Sequence, residues 1–479
     1  MIDTKALRQK ILDMAIRGEL VPQDPNDEPA SVLLEKIRTE KQRLIKEGKI
    51  KKDNVDSVIF KGDDNRHYEN LPNGWGEIPL VEICWLDDGN QIDGEKLVYW
   101  DAKALRGKNT KVTLSRGKVV EQGKSVILVD GENSGEVFTI PYRGYLGSTF
   151  KILQIAPLTD KNFVRIILDY NRDLFRENKT GSAIPHLNKR LFKSMNVLLP
   201  PLLEQERIAK SVDLLFTQID TIEQNQAEIE NLYDELKKRT LDLAIQGKLV
   251  PQDPSDEPAS VLLEKIRAEK KAQLGKKYVD SYIYKGDDNR YYEHIDGKNK
   301  DVVIEVPFDL PYNWCYARLS TLVNLLTDGT HSTPKYTATG IPFISVKDLS
   351  SGKLLFENTK FISLEEHREL SKRCNPRKGD ILLTKVGTTG IPVLVDTDKE
   401  FSLFVSVALL KFNSDCINSE FFIFLLKSPL VQEQATENTR GVGNKNWVLS
   451  DINKTLVVLP PLAEQQRMVD KINKILAKL

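Results

Sequence analysis

The chain has 479 residues, a length typical of about three domains that each bury a core of their own. Hydrophobic residues make up 40% of the chain and charged residues 29%, as in ordinary soluble globular proteins. The formal net charge is zero, which excludes the coating of nucleic acid by bulk positive charge but not local binding to it. No apolar run is long enough to span a membrane, and the N-terminus has no apolar signal core, so we expect a cytoplasmic protein.

Cysteine and histidine usage argues against metal chemistry. Cys84, Cys315, Cys374 and Cys416 are scattered and form no CxxC pair, so we expect reduced thiols and neither a zinc site nor a disulfide framework. The five histidines show no metal-ligand spacing, which disfavours zinc and hydrolytic chemistry. We predict no metal and no cofactor.

From the N-terminus onward, the chain presents segments that it uses twice. Leu12–Arg38 returns as Leu241–Arg267 with 23 of 27 positions identical, at an offset of 229 residues (241 − 12). A second pair, Val197–Ile208 and Val457–Met468, is offset by 260 residues (457 − 197). Between these parts the two halves diverge, which indicates two different recognition modules in one symmetric frame. The alternative is a gene duplication without mechanistic meaning.

Each repeated frame segment continues through a proline-rich loop. Proline at positions 29 and 258 predicts the start of a short amphipathic helix in each copy. Charged linkers follow and end in the matching motifs Lys61–Glu69 and Lys285–Glu293. The acidic pair beside His67 could suggest a metal site, but the second copy carries Tyr291 at that position, so none is expected.

The two divergent inserts follow the linkers. They open with an LPxxW-type sequence at Trp75 and Trp314 and mix short β-type runs with glycine turns. This alternation predicts two α/β globular domains.

One long helix is predicted between the inserts. Two prolines and a glutamate precede a heptad pattern that runs from Ile208 to Leu243. All of its positions are apolar except Gln226 and Thr240. Without proline or glycine before Gly247, the segment predicts one helix over residues 203–246. A single apolar seam of this length must pack against a partner helix.

The repeat offsets indicate which partner the helix has. The N-terminal segment aligns with the second half of the helix, and the C-terminal segment aligns with its first half, leaving positions 220–229 without a counterpart. We therefore predict an α+β molecule in pseudo-twofold arrangement, with nearby termini, whose end helices form an antiparallel coiled coil with the central helix. The alternative is a seam that makes a homodimer. The matched apolar positions are Leu7, Ile11 and Met14 at one end and Met468, Ile472, Ile475 and Leu479 at the other.

These features resemble the specificity subunit of type I restriction-modification systems. The resemblance lies in the PPLxEQxR helix starts, the duplicated frame, the WxxxxLxxL sequence from Trp314 and the segment Gly340–Leu349, and it covers the whole chain. It implies two target recognition domains, each reading one half of a bipartite, asymmetric sequence in double-stranded DNA. It also implies that the helices are a spacer that docks two methyltransferase (modification) subunits, to which restriction subunits add. The charged linker Glu40–Asp56 departs from the family pattern.

The resemblance divides the chain into six parts. They are 1–70 (N-terminal helix, proline loop, short helix and charged linker), 71–199 (target recognition domain 1), 200–247 (central spacer helix), 248–309 (repeated loop, helix and linker), 310–459 (target recognition domain 2) and 460–479 (C-terminal helix of the distal spacer).

Two glycine-punctuated loops in each insert are candidates for reading DNA. The loop 129–135 is matched with 384–390, and 178–190 is matched with 438–447. Such turns approach a nucleic acid closely and present side-chain and backbone donors. The alternative is that they are ordinary solvated turns. The candidate DNA-binding residues are Asn133, Ser134, Lys179, Ser182, His186, Asn188, Lys385, Thr388, Thr389, Arg440, Asn444, Lys445 and Asn446.

Sequence motifs for chemistry are missing from the chain. The sequence nearest to an amino-methyltransferase tetrapeptide, Cys374–Arg377, lacks the motif, and no nucleotide-binding GxxxxGK[ST] loop occurs. Asp380 with Lys385 is a lone pair of the type found in nucleases, and such pairs arise often by chance. We predict a non-catalytic subunit. Two alternatives stay open: a self-contained DNA modification or nuclease enzyme with unrecognised motifs, and a coiled-coil adaptor without a DNA role.

Overall fold

The computed structural model describes residues 1–48, 71–108, 112–181, 185–441 and 445–478. Over these ranges the chain divides into two compact units, Met1–Glu228 and Ile229–Leu479. Each unit contains helices and antiparallel sheets, which confirms the α+β class, and each holds one of the divergent inserts. No helix in the described ranges is both long and apolar enough to cross a membrane.

The first unit begins with two helices of the repeated frame and continues into the first insert. Helix α1 (Thr4–Arg17) starts after Asp3, whose side chain accepts the backbone N–H of Ala6. The further helices are α2 (Ala30–Lys46), α3 (Ala102–Leu105), α4 (Lys161–Tyr170), α5 (Arg172–Glu177) and α6 (Lys189–Ser194). The strands are β1 (Gly76–Pro79), β2 (Cys84–Asp87), β3 (Gln91–Trp100), β4 (Thr113–Val120), β5 (Ser125–Leu128), β6 (Val137–Thr139), β7 (Gly144–Leu146), β8 (Phe150–Ile155) and β9 (Asn196–Leu199).

The strands of the first insert form three sheets that pack on two buried clusters. β2, β8, β5 and β6 form an antiparallel sheet in that order, and β3, β4 and β7 close into a small barrel. β1 pairs with β9, with Gly76 opposite Leu199, so the two ends of the insert lie side by side. Phe163, Phe175 and Phe192 are fully buried in the core that the four-stranded sheet and the β1–β9 pair share with the frame. The barrel packs on a separate cluster that includes Trp100 and Phe150.

The chain passes from the first unit into the second within helix α7 (Leu202–Ile245). The helices that follow are α8 (Ala259–Leu274), α9 (Leu319–Leu322), α10 (Leu364–Ser371), α11 (Ser419–Lys427), α12 (Pro429–Asn438), α13 (Leu449–Lys454) and α14 (Leu462–Leu476). The strands are β10 (Ser281–Lys285), β11 (Tyr291–Ile295), β12 (Val302–Ile304), β13 (Cys315–Arg318), β14 (Val323–Asp328), β15 (Tyr336–Thr337), β16 (Ile341–Ile344), β17 (Lys360–Ile362), β18 (Ile381–Thr384), β19 (Pro392–Leu394), β20 (Ser402–Leu403), β21 (Val407–Phe412) and β22 (Leu456–Leu459).

The second insert repeats the plan of the first. β14, β21, β18 and β19 form a sheet in the same chain order as β2, β8, β5 and β6, and β13 pairs with β22 as β1 pairs with β9. The inserts differ in their remaining strands, because β15, β17, β16 and β20 form an open sheet where the first insert has its small barrel. Two domains of one design are therefore present, as predicted.

The central helix is confirmed, with bounds one residue away from the prediction at each end. It stops at Gly247, which has a left-handed φ of 69°, and the N–H of Lys248 donates to the Leu243 carbonyl at 2.9 Å. A Cβ at position 247 would lie 2.4 Å from Pro311, so both the conformation and the close packing require glycine. Gly18 ends α1 in the same conformation.

The N-terminal helix packs along the first half of α7. The backbone N–H of Ile2 donates to Gln226 Oε1 at 2.6 Å, and Arg8 pairs with Asp220 at 2.5 Å while lying over the Phe216 ring. Residue numbers rise along α1 as they fall along α7, so the two helices are antiparallel. The predicted N-terminal partner of the central helix is confirmed.

The C-terminal helix packs in the second unit. Met468, Val469 and Ile472 of α14 belong to the same buried cluster as Ala244 and Ile245 of α7. Both end helices thus share a core with α7, each within its own unit. The pseudo-twofold relation and the nearness of the termini stay predictions.

The predicted seam of α7 is buried only in part. Ile208 and Val212 are buried, whereas Ile229, Tyr233 and Leu236 are 47%, 41% and 44% exposed. The expectation that this chain buries the whole seam is therefore wrong for the stretch that begins at Ile229.

The linker after α8 contains a sheet that the sequence reading did not predict. β10, β11 and β12 form an antiparallel sheet, and the charged motif Lys285–Glu293 supplies its first hairpin. Asn289 takes a left-handed φ of 61° in the turn, a conformation that asparagine tolerates. The first copy of the motif, Lys61–Glu69 with His67, lies outside the described residues, as does the part of the first linker after Gly48.

Candidate nucleic-acid interface

The repeated PPLxEQxR motif joins each insert to the frame through buried polar contacts. In the first unit the Trp75 indole N–H donates to Glu204 Oε2 at 3.0 Å. In the second unit Trp314 donates to Glu464 Oε2 at 2.9 Å. Both carboxyl groups are buried, and this burial raises the pKa of Glu204 and of Glu464.

The glutamine of the motif closes the turn between strand and helix. Gln205 accepts the Asp160 N–H at 3.0 Å and donates to the Pro200 carbonyl at 2.9 Å. Gln465 makes the equivalent bonds to the Asn418 N–H, at 2.8 Å, and to the Pro460 carbonyl, at 3.0 Å. The motif therefore fixes the turn between the last strand of each insert and the helix that follows it.

The arginine of the motif binds the proline-rich loop. Arg207 forms two hydrogen bonds with Asp27, the shorter of 2.6 Å, and Arg467 does the same with Asp256 at 2.6 Å. Both aspartates are almost fully buried. The repeated PQDPxDEP sequence therefore supplies the carboxylate that fixes the helix start.

In the first domain the two candidate loops meet through backbone bonds. The Gly131 N–H donates to the Pro185 carbonyl at 2.7 Å, and the Leu187 N–H donates to Val129 at 2.7 Å. Asp130 and His186 form an isolated β-bridge between these bonds. These hydrogen bonds hold residues 129–131 of one loop beside residues 185–187 of the other.

The second domain repeats this junction. The Gly387 N–H donates to the Lys445 carbonyl at 2.9 Å, the Trp447 N–H donates to Lys385 at 2.8 Å, and Val386 bridges to Asn446. The backbone pattern is the same as in the first domain, whereas the bridging side chains have changed from Asp and His to Val and Asn. We call the two places junction 1 (residues 129–131 with 185–187) and junction 2 (residues 385–387 with 445–447).

Each junction carries a second, closed turn. Thr180 and His186 exchange backbone hydrogen bonds of 2.9 and 2.8 Å, and Arg440 and Asn446 exchange bonds of 3.1 and 2.9 Å. Residues 182–184 and 442–444 within these turns lie outside the described residues. The candidates Ser182 and Asn444 are among them.

Among the described candidates of the first domain, His186 is exposed and Asn133, Lys179 and Asn188 are half-buried. His186 Nδ1 lies 2.7 Å from Asp130 Oδ1. The half-buried Lys179 bonds Glu132 at 2.8 Å, and this contact lowers the pKa of Glu132.

Two candidates in this domain have local structural surroundings. Ser134 is fully buried, and Asn188 accepts the Leu191 N–H at 3.0 Å as the cap of α6. These positions favour packing and capping over direct contact with DNA.

In the second domain Thr388, Arg440 and Lys445 are exposed, and Thr389 and Asn446 are half-buried. Lys385 differs, because its side chain is only 5% exposed and its ammonium lies 3.2 Å from a buried carboxylate, that of Asp328. This burial disfavours the direct base contact that the sequence predicts for Lys385.

Sequence reasoning missed two corresponding aspartates, Asp328 at the end of β14 and Asp88 directly after β2. Asp328 follows β14 residues Leu326 and Thr327 and precedes Gly329, and the same Leu-x-Asp-Gly pattern covers residues 86–89. In each copy the aspartate binds two basic side chains. The signal was present in the repeated pattern, but the basic partners lie far away in the sequence.

At junction 2 and its turns the side chains of Thr388, Arg440 and Lys445 are exposed, and hydroxyls and cations of this kind contact phosphates and base edges. At junction 1 the exposed His186 pairs with the Asp130 carboxylate. Over the described ranges, no group of three His, Cys, Asp or Glu side chains is arranged to hold a metal ion. The exposed cations at junction 2 are suited to binding an anion.

Residues 72–231 and 311–479 match the family described as type I restriction modification DNA specificity domain. The chain belongs to this family. As a specificity subunit it recognises DNA targets within a type I restriction-modification system. Its two family matches confirm two recognition domains, and residues 232–310, with the sheet β10–β12, lie outside both.

Relatives cover nearly the whole specificity subunit. The type I restriction enzyme EcoAI specificity subunit of Escherichia coli is 28% identical, with 98% of this chain and 89% of that protein aligned. The EcoEI specificity subunit of Escherichia coli is 27% identical, with 98% and 88% aligned. A chain of the solved structure described as "Structural basis underlying complex assembly and conformational transition of the type I R-M system" superposes with a TM-score of 0.52 at 16% identity, covering 85% of this chain and 92% of that one. That superposition supports the fold.

Proposed function

We propose that this specificity subunit reads a bipartite, asymmetric sequence in double-stranded DNA, one half-site with each domain. The observation that carries the proposal is that junctions 1 and 2 share one backbone pattern but present different side chains. A common scaffold with unlike contact groups is what two unlike half-sites require, because donor and acceptor patterns on base edges specify sequence.

The candidate residues in the loops divide into two kinds. Arg440 and Lys445 are exposed cations suited to phosphates or to guanine. The imidazole of His186, the amide of Asn446 and the hydroxyl of Thr388 are suited to base edges. In the proposal, the loops as a class contact DNA, while Ser134 and Lys385 support them from beneath.

In the proposal, the frame docks two methyltransferase subunits and, through them, restriction subunits. The chain itself catalyses no reaction, and it acts in the cytoplasm. Ile229, Leu232, Tyr233 and Leu236 of α7 support a docking role, because exposed apolar side chains close together on one helix mark interaction surfaces. In the proposal, α7 also sets the distance between the half-sites.

Mapping methylated adenines in a host that carries this gene with its methyltransferase gene tests the proposal. We expect one bipartite motif with an unread gap. Exchange of residues 75–198 for the corresponding domain of another family member should change one half-site and leave the other and the gap unchanged. A change in both half-sites would contradict independent reading.

The control is the purified chain alone with DNA and methyl donor. Methylation without the partner subunit would favour the alternative of a self-contained enzyme. Co-purification with the methyltransferase subunit should give two copies of it for each copy of this chain, and a complex without DNA binding would favour the adaptor alternative.

A further inference from the structure

Asp328 lies at the centre of a cluster of basic side chains in the second domain. The Asp328 side chain is only 2% exposed. Its carboxylate forms an ion pair with Arg373 and lies 3.2 Å from Lys385 Nζ. His331 Nε2 is also 3.2 Å from Asp328 Oδ1. Lys385 is buried, whereas the Arg373 and His331 side chains are 55% and 64% exposed, so the outer part of the cluster is basic.

The backbone next to Asp328 and Lys385 is closely packed and hydrogen-bonded. A Cβ at Gly329 would lie 2.0 Å from the Leu403 carbonyl oxygen, so the chain passes directly against β20 at this point. The Lys385 N–H donates to the Ser406 carbonyl at 2.9 Å, and its carbonyl accepts the Trp447 N–H within junction 2. The buried ion pair therefore joins the cluster rigidly to junction 2.

The first domain has a related cluster built from different residues, at a more exposed position where the Asp88 side chain is 67% exposed. Asp88, the counterpart of Asp328, pairs with Lys151 and lies 3.3 Å from Lys118 Nζ. Lys151 also lies close enough to Lys189 for the second ammonium to lower the Lys151 pKa, after the larger effect of burial. Lys189 belongs to the candidate loop 178–190, so this cluster too adjoins a junction.

Both clusters carry more positive than negative charge. Two cations around one aspartate leave a formal charge of +1, and the neighbouring Lys411–Asp380 pair in the second domain is neutral and does not offset it. In the first domain Asp87 and Lys189 add charges that cancel each other. In the second domain the buried Asp328 carboxylate orients the exposed Arg373 guanidinium, which has more N–H donors than this ion pair uses and can therefore donate to an anion as well.

We infer that Arg373 with His331, oriented by the buried Asp328, binds a DNA phosphate beside junction 2. The inference rests on the proposed function and assigns one of its backbone contacts. Arg373 is the contact residue and Asp328 a positioning residue. Such contacts fix the register of the protein on the duplex and are independent of sequence.

The test uses the complex of this chain with its methyltransferase subunit and two 40-base-pair duplexes, one with the mapped motif and one random. Arg373→Ala should weaken binding to both duplexes by the same factor, roughly tenfold, and lower the slope of log affinity against log salt by about 0.9. Arg377→Ala is the matched control, since Arg377 is also 55% exposed, lies four residues away and pairs with Glu400 instead. Its slope should equal that of the wild type.

Arg373→Lys should restore the slope, because a lysine retains the charge that displaces a counterion. The paired change Asp328→Asn with Lys385→Met removes the buried ion pair without leaving either charge alone. It should reproduce the slope loss, and Arg373→Ala added to it should cause no further loss. Additive losses would show that Asp328 does not position Arg373.

The outcomes distinguish a failure of the phosphate site from a failure of the proposed function. A wild-type complex that does not distinguish the two duplexes would contradict the proposed function. A wild type that distinguishes them, with an unchanged slope for Arg373→Ala, would overturn the phosphate site alone. A loss confined to the specific duplex would also overturn it, because that result indicates a base contact.

Discussion

Trp75 and Glu204 are 129 positions apart in the chain and share a buried hydrogen bond of 3.0 Å. The bond links the first residues of the insert to the first turn of α7. Its counterpart between Trp314 and Glu464 differs in one respect. Glu464 Oε1 also accepts the Gln252 amide at 2.5 Å, whereas Glu204 Oε1 has no hydrogen-bond partner in the described part of the chain.

This difference predicts unequal effects of one substitution. Glu204→Gln keeps an acceptor for Trp75 and removes a buried charge, so the free energy of unfolding should change by less than about 1 kcal/mol. Glu464→Gln leaves one acceptor oxygen for two donors, the Trp314 indole and the Gln252 amide. Rotating the Gln252 amide by 180° does not solve this, because its oxygen would then face the Gly247 carbonyl oxygen. We expect a loss of about 1–3 kcal/mol, measured by chemical unfolding followed by fluorescence. Equal effects of the two variants would contradict the assigned bonds.

The raised pKa of Glu204 predicts how its contribution to stability varies with pH. The folded chain binds this proton more tightly than the unfolded chain, whose pKa is close to the ordinary 4.5. The group therefore favours folding fully below that value, and the contribution is lost as pH rises through the higher folded pKa. As the pH is lowered from 7 to about 4, the melting temperature of the wild type should rise relative to that of Glu204→Gln. A constant difference would contradict the shift.

The sequence predicted the parts of the fold that depend on local patterns. The heptad, the prolines before it and Gly247 after it define α7 to within one residue at each end, because periodicity and helix ends are local properties. Burial across the chain is not local. Lys385 looks like a free cation in its loop, and only the fold brings Asp328, 57 positions earlier, into contact with it.

The sheet β10–β12 was missed for another reason. Its first strand alternates as Tyr282-Ile283-Tyr284, a strand pattern, but the surrounding charge indicated a linker. Tyr284 stacks on Tyr292 across the hairpin, and Tyr282 packs on His294, so the aromatic cross-strand pairs hold a sheet with little buried surface.

The ion pair between Asp256 and Arg467 predicts that replacing Asp256 lowers the stability of the fold much more than replacing its neighbour Glu257. The Asp256 side chain is only 6% exposed and binds Arg467 through both oxygens. Asp256→Asn should lower the free energy of unfolding by about 1–3 kcal/mol, because it leaves a partly buried guanidinium without its anion. The adjacent Glu257 pairs with Lys265 at an exposed site, and Glu257→Gln should cost less than about 0.5 kcal/mol. Urea unfolding of the two variants provides the comparison.

The continuity of α7 predicts the effect of a longer helix on the DNA gap. Duplicating residues 222–228 after Glu228 continues the heptad, and it falls between Gln226, where the contacts of α1 end, and the next buried position, Thr240. Seven residues add about 10 Å, equal to about three base pairs, so the mapped motif should gain up to three unread positions between unchanged half-sites. A seven-residue insertion in the exposed turn after Lys298 is the control and should leave the gap unchanged. If the longer helix instead altered a half-site and left the gap as it was, α7 would not set the spacing.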